Sequence, residues 1–179
     1  MADPTPDAGL VEAILFLENE PVDEKTIASI SGLSRERVDA ALAVIRETHA
    51  DDRHGVELAG IAGGWTLAPK PAHTEVLQGR YGKRNENRLS RAALETLSIV
   101  AYSQPVTRAE IEGMRGVSAE GMLHLLVGHG LIKVVGKRDA PGKPLEFGTT
   151  REFLRLFRLS SIAELPKLDE VDREKFDTP

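Results

Sequence analysis

The chain of 179 residues contains no cysteine, which excludes disulfides, thiolate catalysis and cysteine-based metal sites together. Aromatic residues are scarce, with one Trp, two Tyr and five Phe, too few for a base-stacking surface of the kind that binds single-stranded nucleic acid. Apolar runs are short, well below the length of a membrane span, and no membrane partner is expected. The opening MADPTPDAG is acidic and contains proline, so no secretory signal is read there and a cytoplasmic location is expected.

What is present is a hydrophobic content of 41%, enough for globular cores, and a pattern that occurs twice. PVDEKTIASISGLSRERVDAAL (21–42) and PVTRAEIEGMRGVSAEGMLHLL (105–126) align without a gap. Pro21 falls on Pro105, Val22 on Val106, Ile27 on Ile111, Ile30 on Met114, Gly32 on Gly116, Ser34 on Ser118 and Leu42 on Leu126. Matching Pro, Gly and Ser punctuation together with apolar positions indicates duplication of one supersecondary unit.

Each copy reads as helix, short helix, tight turn, helix. Leu10 to Leu17 and Leu94 to Tyr102 are apolar on more than one stripe, as suits a helix covered on several sides. Asp23 caps the short helix of the first copy, and Thr107 with Glu110 forms a capping box in the second. Ile27 with Ile30, and Ile111 with Met114, are expected to face inward. Gly32 and Gly116 close these helices, and Ser34 and Ser118 are expected to cap the third. Its inner face is expected at Val38, Leu42 and Ile45 in the first copy and at Met122, Leu125 and Leu126 in the second.

Strand pairs follow. Leu131 to Gly136 and Leu145 to Thr150 flank the loop KRDAPGKP, and Val56 to Ile61 with Trp65 to Leu67 flank Gly63-Gly64. The expected fold is mainly α with small β-hairpin wings, as two tandem winged-helix (helix-turn-helix) domains. Residues 1–80 form the first, 81–88 a linker within GRYGKRNENR, 89–165 the second, and 166–179 an acidic disordered tail. Arg151 to Phe157 is expected as a short helix with Phe153, Leu156 and Phe157 inward, followed by a turn at SSIAELP.

No catalytic constellation emerges, and no cofactor is expected. The spacing from Gly136 to Gly142 is one residue too long for a phosphate loop, and Pro144 stands where Ser or Thr would bind magnesium. His124 and His129 are poorly spaced for a metal on one helix. Charge argues about DNA. Residues 1–80 carry 7 Lys and Arg against 14 Asp and Glu, so the first half repels phosphate backbones. The third helix of the second copy offers Ser118, Ala119, Glu120, Gly121 and His124, which are poor readers of base edges. Only Lys133, Lys137, Arg138 and Lys143 form a basic cluster, able to touch DNA weakly and without specificity. A winged-helix DNA-binding transcriptional regulator is the alternative to a protein-binding role.

RLSRAALETL, IVAYSQPVTRAEIEGMRGV and the PGKP to FGTT wing resemble the C-terminal core of the bacterial segregation and condensation protein B family. EAILFLENEPV and VELAGIAGGWTLAPKP are similar to its N-terminal domain. Lys137, Lys143 and Phe147 depart from the expected Arg, Arg and Tyr while keeping charge or bulk. The resemblance implies a non-catalytic, homodimeric condensin subunit that serves chromosome condensation and partition in cell division, in the nucleoid-associated cytoplasm. It implies binding to the kleisin subunit, segregation and condensation protein A, and through it to the structural-maintenance-of-chromosomes ATPase. Dimerisation is then expected through Ile14, Leu15, Phe16 and Leu17. Kleisin binding is expected around Tyr102, Gln104, Arg108 and Arg115, because exposed Tyr and Arg are common interface anchors.

Overall fold

The structure, a computed structural model, describes residues 5–81 and 89–167. The first half begins with helix α1 (Pro6–Leu17), started by the Thr5 hydroxyl, which accepts from the Ala8 amide, and by proline at the first helical position. Helix α2 (Glu24–Ser31) is capped by Asp23 and ends at Gly32, whose φ of 71° is left-handed. Ser34 caps α3 (Arg35–Ala50). Strands β1 (Val56–Ile61) and β2 (Gly64–Pro69) then form an antiparallel hairpin, followed by a 3₁₀ turn at Pro71–His73 and helix α4 (Thr74–Tyr81).

The second half repeats this order: α5 (Arg91–Ser103), β3 (Val106–Thr107), α6 (Arg108–Arg115), α7 (Glu120–Gly128), β4 (Ile132–Lys137), β5 (Leu145–Thr149) and α8 (Arg151–Leu156). Its sheet runs in the order β3-β5-β4. The capping box at Thr107 and Glu110 is present, and α6 ends at Gly116 with φ 70°. A 3₁₀ turn at Ile162–Glu164 lies in SSIAELP.

Each half has its own hydrophobic cluster, and the two clusters share no residue. Val11, Leu15, Ile27, Val38, Leu42 and Ile45 anchor the first, and Leu97, Val100, Ile111, Leu126, Ile132 and Phe153 the second. Ile27 and Ile111, matched positions of the repeat, are both fully buried, each stabilising its cluster by about 2 kcal/mol. The halves also touch directly. The amides of Ala62 and Gly63 donate to the carbonyls of Leu159 (2.8 Å) and Ser160 (3.0 Å), and Arg155 meets Glu20 at 2.8 Å.

Several expectations need correction. Ile30 and Met114 are both exposed, because each short helix touches its cluster through one turn centred on Ile27 or Ile111. Ser118 does not cap α7; Ala119 stands at the cap position, and the Ser118 hydroxyl donates instead to Glu112 (3.2 Å). The inward face of α7 therefore runs through Ala119, Leu123 and Leu126, leaving Leu125 exposed and Met122 half-buried. Leu156 and Phe157 are exposed, since α8 turns Phe153 into the cluster and Leu154 against it.

The first hairpin turns at Ala62-Gly63, not at Gly63-Gly64: both turn residues have positive φ (53° and 73°), the geometry that matches strand twist in a two-residue loop. Gly64 opens β2, where a Cβ would lie 2.8 Å from the Pro21 carbonyl carbon and 2.9 Å from that of Val22. That crowding arises because Val22 bridges to Trp65 by two backbone bonds of 2.9 and 2.8 Å. β3 occupies the matched position in the second half, pairing Val106 with Phe147. Helix α4 reaches Tyr81; the rest of the expected linker, 82–88, and the tail from 168 onward lie outside the described residues.

Candidate partner-binding surfaces

The four apolar residues expected at a dimer contact divide into two pairs. Ile14 and Leu15 belong to the molecule's own interior, because the buried stripe of α1 runs Ala8, Val11, Ile14 and Leu15. Phe16 and Leu17 fall outside that stripe and are 78% and 75% exposed. Beside Phe16 is a groove of about 610 Å³ bordered by Glu12, Leu15, His49, Val56 and Leu67. His49 is buried at the end of α3, with Nε2 at 2.7 Å from a Glu12 carboxylate oxygen and its ring 5.0 Å from that of His54.

Of the four residues expected to meet the kleisin, two are committed to their own fold. The Arg115 side chain is only 6% exposed; it donates to the Ser118 carbonyl (3.2 Å) and pairs with Glu95 on α5 (3.4 Å). Gln104 follows α5, and its Oε1 accepts from the Thr149 amide (2.7 Å) and hydroxyl (3.0 Å) while its Nε2 donates to the Ala101 carbonyl. It thereby fastens the end of α5 to β5. The other two remain at the surface. Tyr102 donates its hydroxyl to the Pro166 carbonyl at 2.8 Å. Arg108 lies at the start of α6 between Glu112 (2.8 Å) and Glu120 (3.0 Å).

Glu112 is the residue that the sequence reading missed. Its Oε1 accepts from the Ala119 amide (3.0 Å), the Ser118 hydroxyl and Arg108, so a side chain from α6 caps α7. Those donors, the Ala119 amide foremost and then Arg108, hold its carboxyl below the usual glutamate range. Glu110 is lowered in the same direction, first by the Thr107 amide of the capping box.

The basic cluster on the second hairpin is smaller than its residue count. Arg138 binds Glu146 (2.8 Å), Glu110 and the Pro105 carbonyl (3.1 Å), tying the hairpin to the capping box and pairing its charge within its own domain. Lys133, Lys137 and Lys143 are exposed and make no ion pair among the described residues. Among the described residues no group of three or more His, Asp or Glu could hold a metal ion, and no helix is long and apolar enough to cross a membrane.

The model of the family described as segregation and condensation complex subunit ScpB matches residues 9–168. The chain belongs to the ScpB family. A family member from Moorella thermoacetica, segregation and condensation protein B, is 38% identical over 161 residues, covering 90% of this chain and 82% of the relative. The protein of the same name from Agathobacter rectalis is 44% identical, covering 93% and 89%. A solved dimer of a ScpB N-terminal domain complexed with a ScpA peptide is 24% identical and covers 45% of this chain and 94% of that one, with a TM-score of 0.41. In this ScpB-family chain, then, the exposed expected residues are Phe16, Leu17, Tyr102 and Arg108, whereas Ile14, Leu15, Gln104 and Arg115 hold the fold together.

Proposed function

We propose that the chain is a non-catalytic, homodimeric subunit of the bacterial condensin, acting in chromosome condensation and partition. The observation that carries this reading is the family match across residues 9–168. The two halves are taken as winged-helix domains, 1–80 and 89–165, each with its own cluster and hairpin. Phe16 and Leu17 supply an exposed apolar face for a second copy, since large apolar side chains on a monomer surface gain most from burial in an interface. The kleisin, segregation and condensation protein A, is received by the C-terminal domain, with Tyr102 and Arg108 available to it. The kleisin links the assembly to the structural-maintenance-of-chromosomes ATPase, so ATP turnover belongs to that partner. The complex works in the cytoplasm at the nucleoid.

The regulator reading is disfavoured by α7, whose sequence EGMLHLLVG has no Arg, Lys, Asn or Gln to read a base edge. Co-purification with the kleisin from the same genome, with mass measured by light scattering, tests the proposal. A complex containing two copies of this chain supports it; a monomer that ignores the kleisin and selects one duplex sequence overturns it.

A further inference from the structure

Between α7 and the β4–β5 hairpin lies an open groove of about 470 Å³, within the size range of sites that hold a ligand or side-chain cluster. Its floor is Val127, Val134, Leu145 and Phe147, and the lining is overwhelmingly apolar. Val127 and Val134 are 44% and 47% exposed. The strand register explains the floor: Val134 lies opposite Phe147, so both side chains stand on one face of the hairpin, towards α7. The charges on the rim are of two kinds. Arg108 and Glu120 line the groove as an ion pair of 3.0 Å. On the hairpin, the charged residues of the groove side without an ion pair among the described residues are Lys137 and Lys143, against Asp139 in the loop; Lys133, next to Val134 on β4, stands on the opposite face. Lys137 sits opposite Leu145 in the register, and Lys143 precedes the lining residue Pro144. An apolar floor beside surplus positive charge suits an apolar side chain carried on an acidic segment. Phosphate contacts, which position a protein on DNA through its cations, would leave that aliphatic floor uncovered.

We infer that this groove is the docking slot for an apolar-anchored, acidic-flanked segment of the kleisin; the inference rests on the function proposed above. Arg108, already a candidate for that partner, belongs to the groove lining, whereas Tyr102 does not.

The test uses the full chain with Val127→Asp and Val134→Asp, and Val76→Asp as a control at an exposed position of α4. Binding to the purified kleisin from the same genome is measured by calorimetry, and a labelled duplex is titrated in parallel. Both groove variants are expected to bind the kleisin at least about tenfold more weakly, with the control unchanged and mass by light scattering preserved. Should an Asp variant melt early, Val134→Thr keeps the shape, replaces one methyl by a hydroxyl and is expected to weaken binding in the same direction. If wild type binds the kleisin and the variants bind within about twofold of it, the groove assignment falls while the proposed function stands. If wild type does not bind, both fall. Variants that lose duplex binding but keep the kleisin also overturn the inference.

Discussion

At the scale of single residues, four positions carry specific costs. Replacing Gln104 by Leu removes the acceptor of the half-buried Thr149 amide and should destabilise the second half by about 0.5–1.5 kcal/mol, read by urea denaturation. A purely interfacial role would leave stability unchanged. Gly64→Ala puts a methyl against the backbone of Pro21 and Val22, and should cost about 1–3 kcal/mol unless β2 moves away from that segment. The carboxyls of Glu110 and Glu112 are lowered in the folded state, so the fold binds protons less readily than the unfolded chain. Their contribution is complete above the ordinary glutamate value of 4.5 and is lost as pH falls through their depressed values. Stability of the second half should therefore decline below pH 4.5, and Glu112→Gln should flatten that decline in acid-unfolding curves monitored by circular dichroism.

At the scale of elements, several local signals were readable where donor and acceptor lie within one turn. Asp23, Ser34 and the Thr107–Glu110 box cap their helices as the residue types require, and Gly32 and Gly116 take the left-handed conformation. Ser118 resembles Ser34 but does not cap, because Glu112, six residues away, takes the Ala119 amide instead. Arg115 reads as an exposed anchor until the fold brings Glu95 to it from α5. Likewise β3 is only two residues long, and its pairing partner Phe147 is far along the chain. Helix α1 supplies the test at this scale. If the proposed homodimer forms through this face, Phe16→Glu with Leu17→Glu should give a monomer by light scattering whose circular dichroism remains that of a folded chain, because neither side chain is part of the cluster. Ile14→Glu should instead unfold the first half, since a charge would be buried unpaired.

For the whole molecule, the duplicated unit and the family resemblance were legible across most of the chain, whereas the contact between halves was not. Charge distribution allows one further expectation. Lys137→Glu with Lys143→Glu should abolish any residual duplex binding without loss of stability, while Arg138→Glu should lower the melting temperature, because it leaves Glu110 and Glu146 facing a third carboxylate. Binding to duplex that survives the double lysine change in low salt would remove the hairpin from consideration.

A hairpin tip is ordinarily the place where amide hydrogens are lost to solvent fastest, yet the tip of β1–β2 gives both of its amides to carbonyls beyond α8. Deuterium uptake at Ala62 and Gly63 therefore acts as a clock for separation of the two halves. It runs slowly while they stay joined, accelerates when Arg155→Glu repels Glu20, and requires no label at either end of the chain.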